Sequence, residues 1–242
     1  MVIDVSGSVG VAEFNLQRNG YGTALQNAAI GNATASFPAS GRIAVAVFFF
    51  SSNTVQVTSW IRLTSAADAF NFGPLPGGLV NPPNNTAAIG GSTLGNNTNI
   101  AEGMDLAREG MAANSFTGNR LVMGVSGDGI QNTTADGDSV CGSVAACVAT
   151  LQAARNAAAL AGIVVNGLAI TDDVPDLDNC YAATLQTCLG SFVLDTTFGA
   201  FNTAVAARIG SEITGTVPAP TSLALAGLAF AGLGVARRRR AA

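Results

Sequence analysis

Asp4-Val5-Ser6-Gly7-Ser8 stands directly behind the short apolar run Val2-Ile3, and the reading of this stretch decides the fold. Val2 to Val5 has the character of the end of a buried strand. Oxygen-bearing side chains at i, i+2 and i+4 converge if the chain leaves a sheet in a tight turn, and Gly7 makes such a turn inexpensive. One carboxylate and two hydroxyls form a hard donor set. It suits Mg²⁺, Mn²⁺ or Ca²⁺ and disfavours softer metals.

A second stretch, Val125-Ser126-Gly127-Asp128-Gly129, ends a strand that begins near Arg120, again with an acid between glycines. In a parallel sheet the carboxyl ends of strands share one edge, where open α/β sheets place their ligands, so Asp4 and Asp128 are expected to face one ion. Together they neutralise a dication, and the hydroxyls leave coordination positions for water or an incoming ligand. A third segment, Asn97-Thr98-Asn99-Ile100, opens a helix. Thr98 either caps that helix or turns its hydroxyl to the metal.

Working outward, strand-like and helix-like stretches alternate, the pattern of an α/β fold with a mostly parallel sheet flanked by helices. The periodicity predicts a helix over 11–29, with Phe14, Leu16, Tyr21 and Leu25 among its apolar positions. It predicts β structure over 42–50 and 54–60, joined as a hairpin across Ser51-Ser52-Asn53. Further helices are expected at 100–113, 143–161 and about 197–212, and further strands at 120–125, 163–170 and 191–194. Phe48-Phe49-Phe50 and Trp60 read as sheet core, and Arg42 and Arg120 as structural residues at strand starts. Between Gly73 and Asn99, Gly, Pro, Asn and Thr dominate without an apolar period; loops of this length are either functional or disordered.

Composition removes whole classes of chemistry. The 242-residue chain contains no His, and all 11 basic residues are Arg. A Ser-His-Asp triad, a Cys-His pair, a His-ligated zinc, a Walker lysine and a Schiff-base lysine are therefore impossible. With 48% hydrophobic and 11% charged residues, the chain is too apolar for disorder. Residues 1–236 carry 7 Arg against 15 acids, a net of −8, which makes nucleic acid a poor partner and a divalent cation a better one.

Cys141 and Cys147 form one local pair, C-x5-C, and Cys180 and Cys188 another, C-x7-C. These spacings miss the tighter pattern of zinc sites and fit two small disulfide loops, with four reduced thiols as the alternative. Four cysteines allow three pairings. Asp172, Asp173, Asp176 and Asp178 read as a solvated turn, since their spacing misses an EF-hand loop, and Asp136-Gly137-Asp138 reads the same way.

On these motifs the chain resembles a von Willebrand factor type A (VWA) domain with a metal-ion-dependent adhesion site. That signature is an Asp-x-Ser-x-Ser turn after the first strand, a Thr before a middle helix and an Asp after the fourth strand. Here Asp4, Ser6 and Ser8, then Thr98, then Asp128 follow in that order. Leu16-Gln17-Arg18-Asn19-Gly20-Tyr21, Gly41-Arg42-Ile43-Ala44-Val45, Ser126-Gly127-Asp128-Gly129 and Val165-Asn166-Gly167-Leu168-Ala169-Ile170 are similar to a bacterial branch of the family without an assigned biochemical function. The likeness spans about residues 2–214. It implies a Rossmann-like fold and a Mg²⁺ held by Asp4, Ser6, Ser8, Thr98 and Asp128, some through water. In such domains a partner's Glu or Asp completes the octahedron and no bond is broken. Two departures stand out: the first strand is cut short by Met1, and the Gly/Pro/Asn insertion before Thr98 is long and should overhang the metal face.

At Val217 the composition shifts to Val-Pro-Ala-Pro-Thr-Ser, then an apolar run, then Arg237 to Arg240. The run Thr221 to Ala236 has 16 residues, short of the roughly 20 that cross a bilayer comfortably. The arginines are expected on the cytoplasmic side, with the acidic body outside. Residues 217–240 resemble the PEP-CTERM sorting signal of Gram-negative bacteria, with Pro218-Ala219-Pro220 carrying Ala where that signal usually has Glu. The resemblance implies processing by an exosortase. The expected division is therefore 1–216, a VWA-like metal-binding domain, and 217–242, a sorting segment with a C-terminal hydrophobic helix, the only part to meet a membrane. No export leader precedes Asp4, which reads as a truncated or misassigned start.

The expected function is a non-catalytic, Mg²⁺-dependent binding module at the cell surface, in the periplasm or in the extracellular matrix. Its partner is a protein or polysaccharide offering a carboxylate. One alternative is a structural surface or matrix protein whose metal only stabilises it. The other is a metal-dependent phosphatase-type hydrolase: an Asp after the first strand and a later Gly-Asp pair resemble haloacid dehalogenases. That family wants a second Asp where Ser6 stands, and typically a Lys. A G-x-S-x-G elbow is also missing, because Asp128 occupies the place of the last Gly.

Overall fold

The computed structural model describes residues 1–36, 43–72, 88–89, 92–134, 136–137, 139–187 and 190–215. Its elements in chain order are β1 (Val2–Asp4), α1 (Val11–Gln26), α2 (Ala28–Ala35), β2 (Ile43–Val45), β3 (Phe48–Phe50), β4 (Thr54–Gln56), β5 (Ile61–Leu63), α3 (Ala66–Phe72), β6 (Ala88–Ile89), β7 (Ser92–Thr93), α4 (Ile100–Ala113), β8 (Leu121–Gly127), α5 (Val144–Leu160), β9 (Ile163–Ile170), α6 (Leu177–Thr184), β10 (Val193–Thr196) and, after a 3₁₀ turn at Phe198–Ala200, α7 (Phe201–Thr214).

Alternation along the strands builds two cores. Successive side chains of a strand point to opposite faces. Ile3, Phe49, Leu168 and Ile170 therefore pack with Phe14, Tyr21, Phe201 and Val205 of α1 and α7. Val2, Phe48, Phe50, Val125 and Val165 pack instead with Ile100, Met104, Leu151 and Tyr181 of α4, α5 and α6. Between these layers the sheet runs β10-β9-β8-β1-β3-β4, parallel throughout except for the antiparallel edge strand β4. This is the Rossmann-like, mostly parallel sheet with helices on both faces that the sequence predicts. Short as it is, β1 sits at the sheet's centre with all three residues buried.

Helix α4 and strand β9 fall on the expected bounds, and β3 and β4 form the expected hairpin across Ser51-Ser52-Asn53. Elsewhere tertiary contacts override local pattern. The helix expected over 11–29 breaks at Asn27, whose backbone is extended (φ −66°, ψ 132°) and whose side chain accepts the Ala29 N–H at 2.8 Å, starting α2 afresh. Leu16 faces solvent. The strand expected over 42–50 splits at Ala46-Val47. There Val47 N–H donates to Thr58 Oγ1 at 2.9 Å, and β2 pairs with β5 in a separate two-stranded sheet. The acidic turn is shorter than expected, because α6 begins at Leu177 and takes in Asp178. Arg42, Asp138, Cys188, the core of the long insertion at 73–87 and the segment 216–242, with its expected hydrophobic helix, lie outside the described residues. Among the described residues no helix is long and apolar enough to cross a membrane.

One residue essential to the α1–α7 layer has no sequence signature. Arg208 of α7 is fully buried, donates to Val125 O at 3.1 Å and to Tyr21 Oη at 2.5 Å, and pairs with Glu212 at 3.4 Å. Tyr21 also shares a hydrogen bond with Ser126 Oγ at 2.9 Å, which ties α1 and α7 to β8 next to the sheet's carboxyl edge. Removing one member of a buried ionic network strands the others without partners. Arg208→Ala is therefore expected to lower the unfolding free energy by about 3–5 kcal/mol, read as a lower urea midpoint.

Candidate functional site

Parallel register brings the separated motifs together. Val2 and Ile3 lie opposite Val125 and Ser126, and Asp4 lies opposite Phe50, so the chain after β8 leaves the sheet beside the end of β1. At that edge the five expected residues form one hydrogen-bonded group. Asp4 Oδ1 accepts the Ser6 N–H at 2.8 Å, closing the turn. Ser6 Oγ is 3.2 Å from Ser8 Oγ, and Ser8 Oγ donates to Asp128 Oδ1 at 2.8 Å. Thr98 Oγ1 donates to Ser6 Oγ at 3.2 Å. Asp4, Ser6, Thr98 and Asp128 are buried, and Ser8 is exposed on the open side.

The electrostatics of the group are unfavourable as they stand. Asp4 Oδ2 and Asp128 Oδ2 are both buried and have no hydrogen-bond partner, a costly condition for carboxylate oxygens. Burial, and then the Asp128 charge, push the Asp4 carboxyl up to about 8. Burial likewise pushes Asp128 up to about 6, against the pull of the Ser8 hydroxyl, with the charges of Glu13 and Asp173 adding to the rise. The two acids titrate as a pair. Two unpartnered carboxylate oxygens beside three hydroxyls fit the hard-cation donor set expected from the sequence.

One alternative left open by the sequence resolves here. Thr98 does not cap α4. Asn99 does, accepting the Glu102 N–H at 3.3 Å, which leaves the Thr98 hydroxyl with Ser6. Gly7 is not needed for a left-handed turn, since it is absent from the positive-φ glycines. It is needed for close approach: its N–H donates to Asn96 O at 2.8 Å, and a Cβ there would lie 3.1 Å from the same oxygen. At Gly127 a Cβ would come within 2.7 Å of both Asp4 Oδ2 and Tyr181 Oη.

The supporting residues lie outside the ligand motif itself. Gln17 Nε2 donates to Asp4 O at 3.2 Å, and Tyr181 Oη donates to Gly129 O at 3.0 Å. The hairpin tip holds the Thr98 loop, with Ser51 Oγ donating to Gly95 O at 2.8 Å and Ser52 Oγ accepting the Asn97 N–H at 3.0 Å. Gln131 and Asn132 bind the same loop from the other side. Their one visible signal was position, just after Asp128-Gly129-Ile130. Of the acidic turn, Asp172 accepts the Phe198 N–H at 2.6 Å, a structural role. Cys141 and Cys147 are joined by a disulfide, as their spacing suggests.

The buried acid gives a pH signature. A carboxyl whose folded-state pKa is raised favours the fold below its unfolded value and loses that contribution as pH climbs through the folded value. With a chelator present, the melting temperature is expected to fall between pH about 4 and about 8. Asp4→Asn should flatten the slope, as followed by circular dichroism.

In three dimensions the chain is similar to proximal thread matrix protein 1 from the mussel byssus, with TM-score 0.56 and 15% identity over 86% of this chain and 45% of that one. It is similar to a von Willebrand factor type A protein from Catenulispora acidiphila, with TM-score 0.51 and 14% identity over 88% and 41%. A point mutant of the PilB minor pilin from Streptococcus sanguinis gives TM-score 0.60 and 11% identity over 88% and 60%. The chain spans less than two thirds of each of these structures, and at such identities the likeness establishes a VWA-like fold alone. No curated protein matches it in sequence. Residues 216–240 match the PEP-CTERM protein-sorting motif, which marks an exported protein bound for the cell surface and processed by an exosortase. Residues 1–217 match the model of the family described as protein of unknown function DUF1194, and the chain belongs to that family.

Proposed function

We propose that this chain is a surface module that binds one Mg²⁺ through Asp4, Ser6, Ser8, Thr98 and Asp128, and through that ion a carboxylate of a protein or polysaccharide partner, without catalysing a reaction. The observation that carries the reading is the pair of buried carboxylate oxygens, Asp4 Oδ2 and Asp128 Oδ2, that no group of the protein satisfies. A hard dication would offset both charges and take the hydroxyls as further ligands. Bound there, it would supply a positive centre to which an acidic ligand adds. The protein's part is to hold the donors, keep four of them out of water and leave the Ser8 side open.

The charge balance bears on the partner. A body with a net of −8 repels an acidic ligand at long range, so recognition of a carboxylate depends on the cation. The lack of any His or Lys favours binding over turnover. The sorting motif agrees with a place outside the cell, and two structural neighbours are a matrix protein and a minor pilin.

Calorimetry with Mg²⁺ or Mn²⁺ is expected to show one saturable site, lost in Asp4→Ala and in Asp128→Ala. Ion at a hundred times its Kd should stabilise the fold by about 2.7 kcal/mol. Retention on alginate or on an acidic-peptide array should need Mg²⁺ and vanish in Asp128→Ala. Stabilisation without cation-dependent retention on either surface would make the ion a scaffold only. Hydrolysis of a phosphate or carboxylate ester that requires Mg²⁺ and disappears in Asp4→Asn would make the protein an enzyme.

A further inference from the structure

Thr98 enters the cation site from the end of a long loop, and the groups that hold it lead away to the disulfide. Its N–H donates to Asn132 Oδ1 at 2.8 Å, and its carbonyl accepts the Asn132 N–H at 3.0 Å. Gln131, 3% exposed, uses both ends of its amide. Its Oε1 accepts the Ala101 N–H at 3.0 Å, and its Nε2 donates to Asn99 Oδ1 and to Thr133 O, each at 2.8 Å. Cys141 N–H donates to Asn132 O at 3.1 Å, and Thr133 bridges antiparallel to Val140. Cys141 is bonded to Cys147 on α5, whose Leu151 and Ala154 sit in the core with Ile100 and Met104 of α4.

Among the described residues apolar burial does little to keep this segment in place: Val140 is 68% exposed and Val144, at the start of α5, 70%. A segment with few buried contacts opens locally at low cost unless a covalent link narrows its open ensemble. We propose that the Cys141–Cys147 disulfide is the anchor that, through Gln131 and Asn132, positions Thr98 in the cation site, so that the site reaches full affinity only in the oxidised chain. The inference rests on the reading of Asp4, Ser6, Ser8, Thr98 and Asp128 as a cation site. A dithiol reductant switches the anchor off: it passes two electrons and two protons to the S–S bond, leaving two thiols and its own cyclic disulfide. Cytosolic thiols are kept reduced, whereas exported proteins meet oxidising conditions. Affinity is thereby linked to the export that the sorting motif directs.

The test uses the full chain in three forms: oxidised wild type, Cys141→Ser/Cys147→Ser, and Gln131→Ala, which keeps both cysteines. Each is titrated with Mn²⁺ and followed by hydrogen exchange. Both variants are expected to bind Mn²⁺ about 10–100-fold more weakly, the usual effect of losing an outer-shell support. In both, the Thr98 and Ala101 amides should exchange faster while Val164 and Val165 of β9 keep their protection. Reduction of the wild type by dithiothreitol should reproduce the effect, and reoxidation should reverse it. Unchanged affinity and unchanged Thr98 and Ala101 exchange would overturn the proposal. So would acceleration that extends equally to β9, because the disulfide would then support the whole fold. If the oxidised wild type takes up no Mn²⁺, the cation-site reading and this inference fail together. If it binds and the variants bind equally well, the inference fails alone.

Discussion

Two carboxylates buried at one edge of a parallel sheet, each with an oxygen that no protein group satisfies, set the terms for the rest of this structure. Leaving such oxygens unpaired costs free energy, and the raised proton affinities of Asp4 and Asp128 express that cost. The sheet brings the acids together, and the hydrogen bonds from Ser6 and Ser8 relieve them only in part. Three neighbouring hydroxyls are neutral and offset little of the charge. A hard dication is the simplest group that relieves both acids at once, and the proposed function follows from that need.

The edge is built by register and by close approach. Because β1 is parallel to both β3 and β8, the residues that end these strands emerge side by side. Every residue of β1 is buried, so three residues suffice for a central strand. Glycines then ease the close approach of the loops: a Cβ at Gly7 would crowd Asn96, and one at Gly127 would collide with Asp4 and Tyr181. A side chain at Gly127 would press directly on Asp4 Oδ2, and one at Gly7 would crowd Asn96 in the loop that leads to Thr98.

Support for the site is unevenly distributed. Asp4 is embedded in the sheet and braced by Gln17, whereas Thr98 depends on loops. The Ser51–Asn53 hairpin tip binds its loop on one side, and Gln131 and Asn132 bind it on the other. The second support runs to the Cys141–Cys147 disulfide, which joins it to α5. In the proposed module the acids would give the ion its charge balance, and the loops would decide how complete its coordination is.

The amino-acid sequence by itself determined the alternation of strands and helices, the order of Asp4, Ser6, Ser8, Thr98 and Asp128, the local cysteine pair and the sorting segment. All of these are written in periodicities or spacings of a few residues. Only the tertiary structure decided that Asn99 rather than Thr98 caps α4, that a helix breaks at Asn27, that Gly7 serves proximity rather than a left-handed turn, and that Arg208, Gln131 and Asn132 hold the edge together. Each of those outcomes depends on which polar group has a partner, and partners distant in sequence meet only once the two cores are packed.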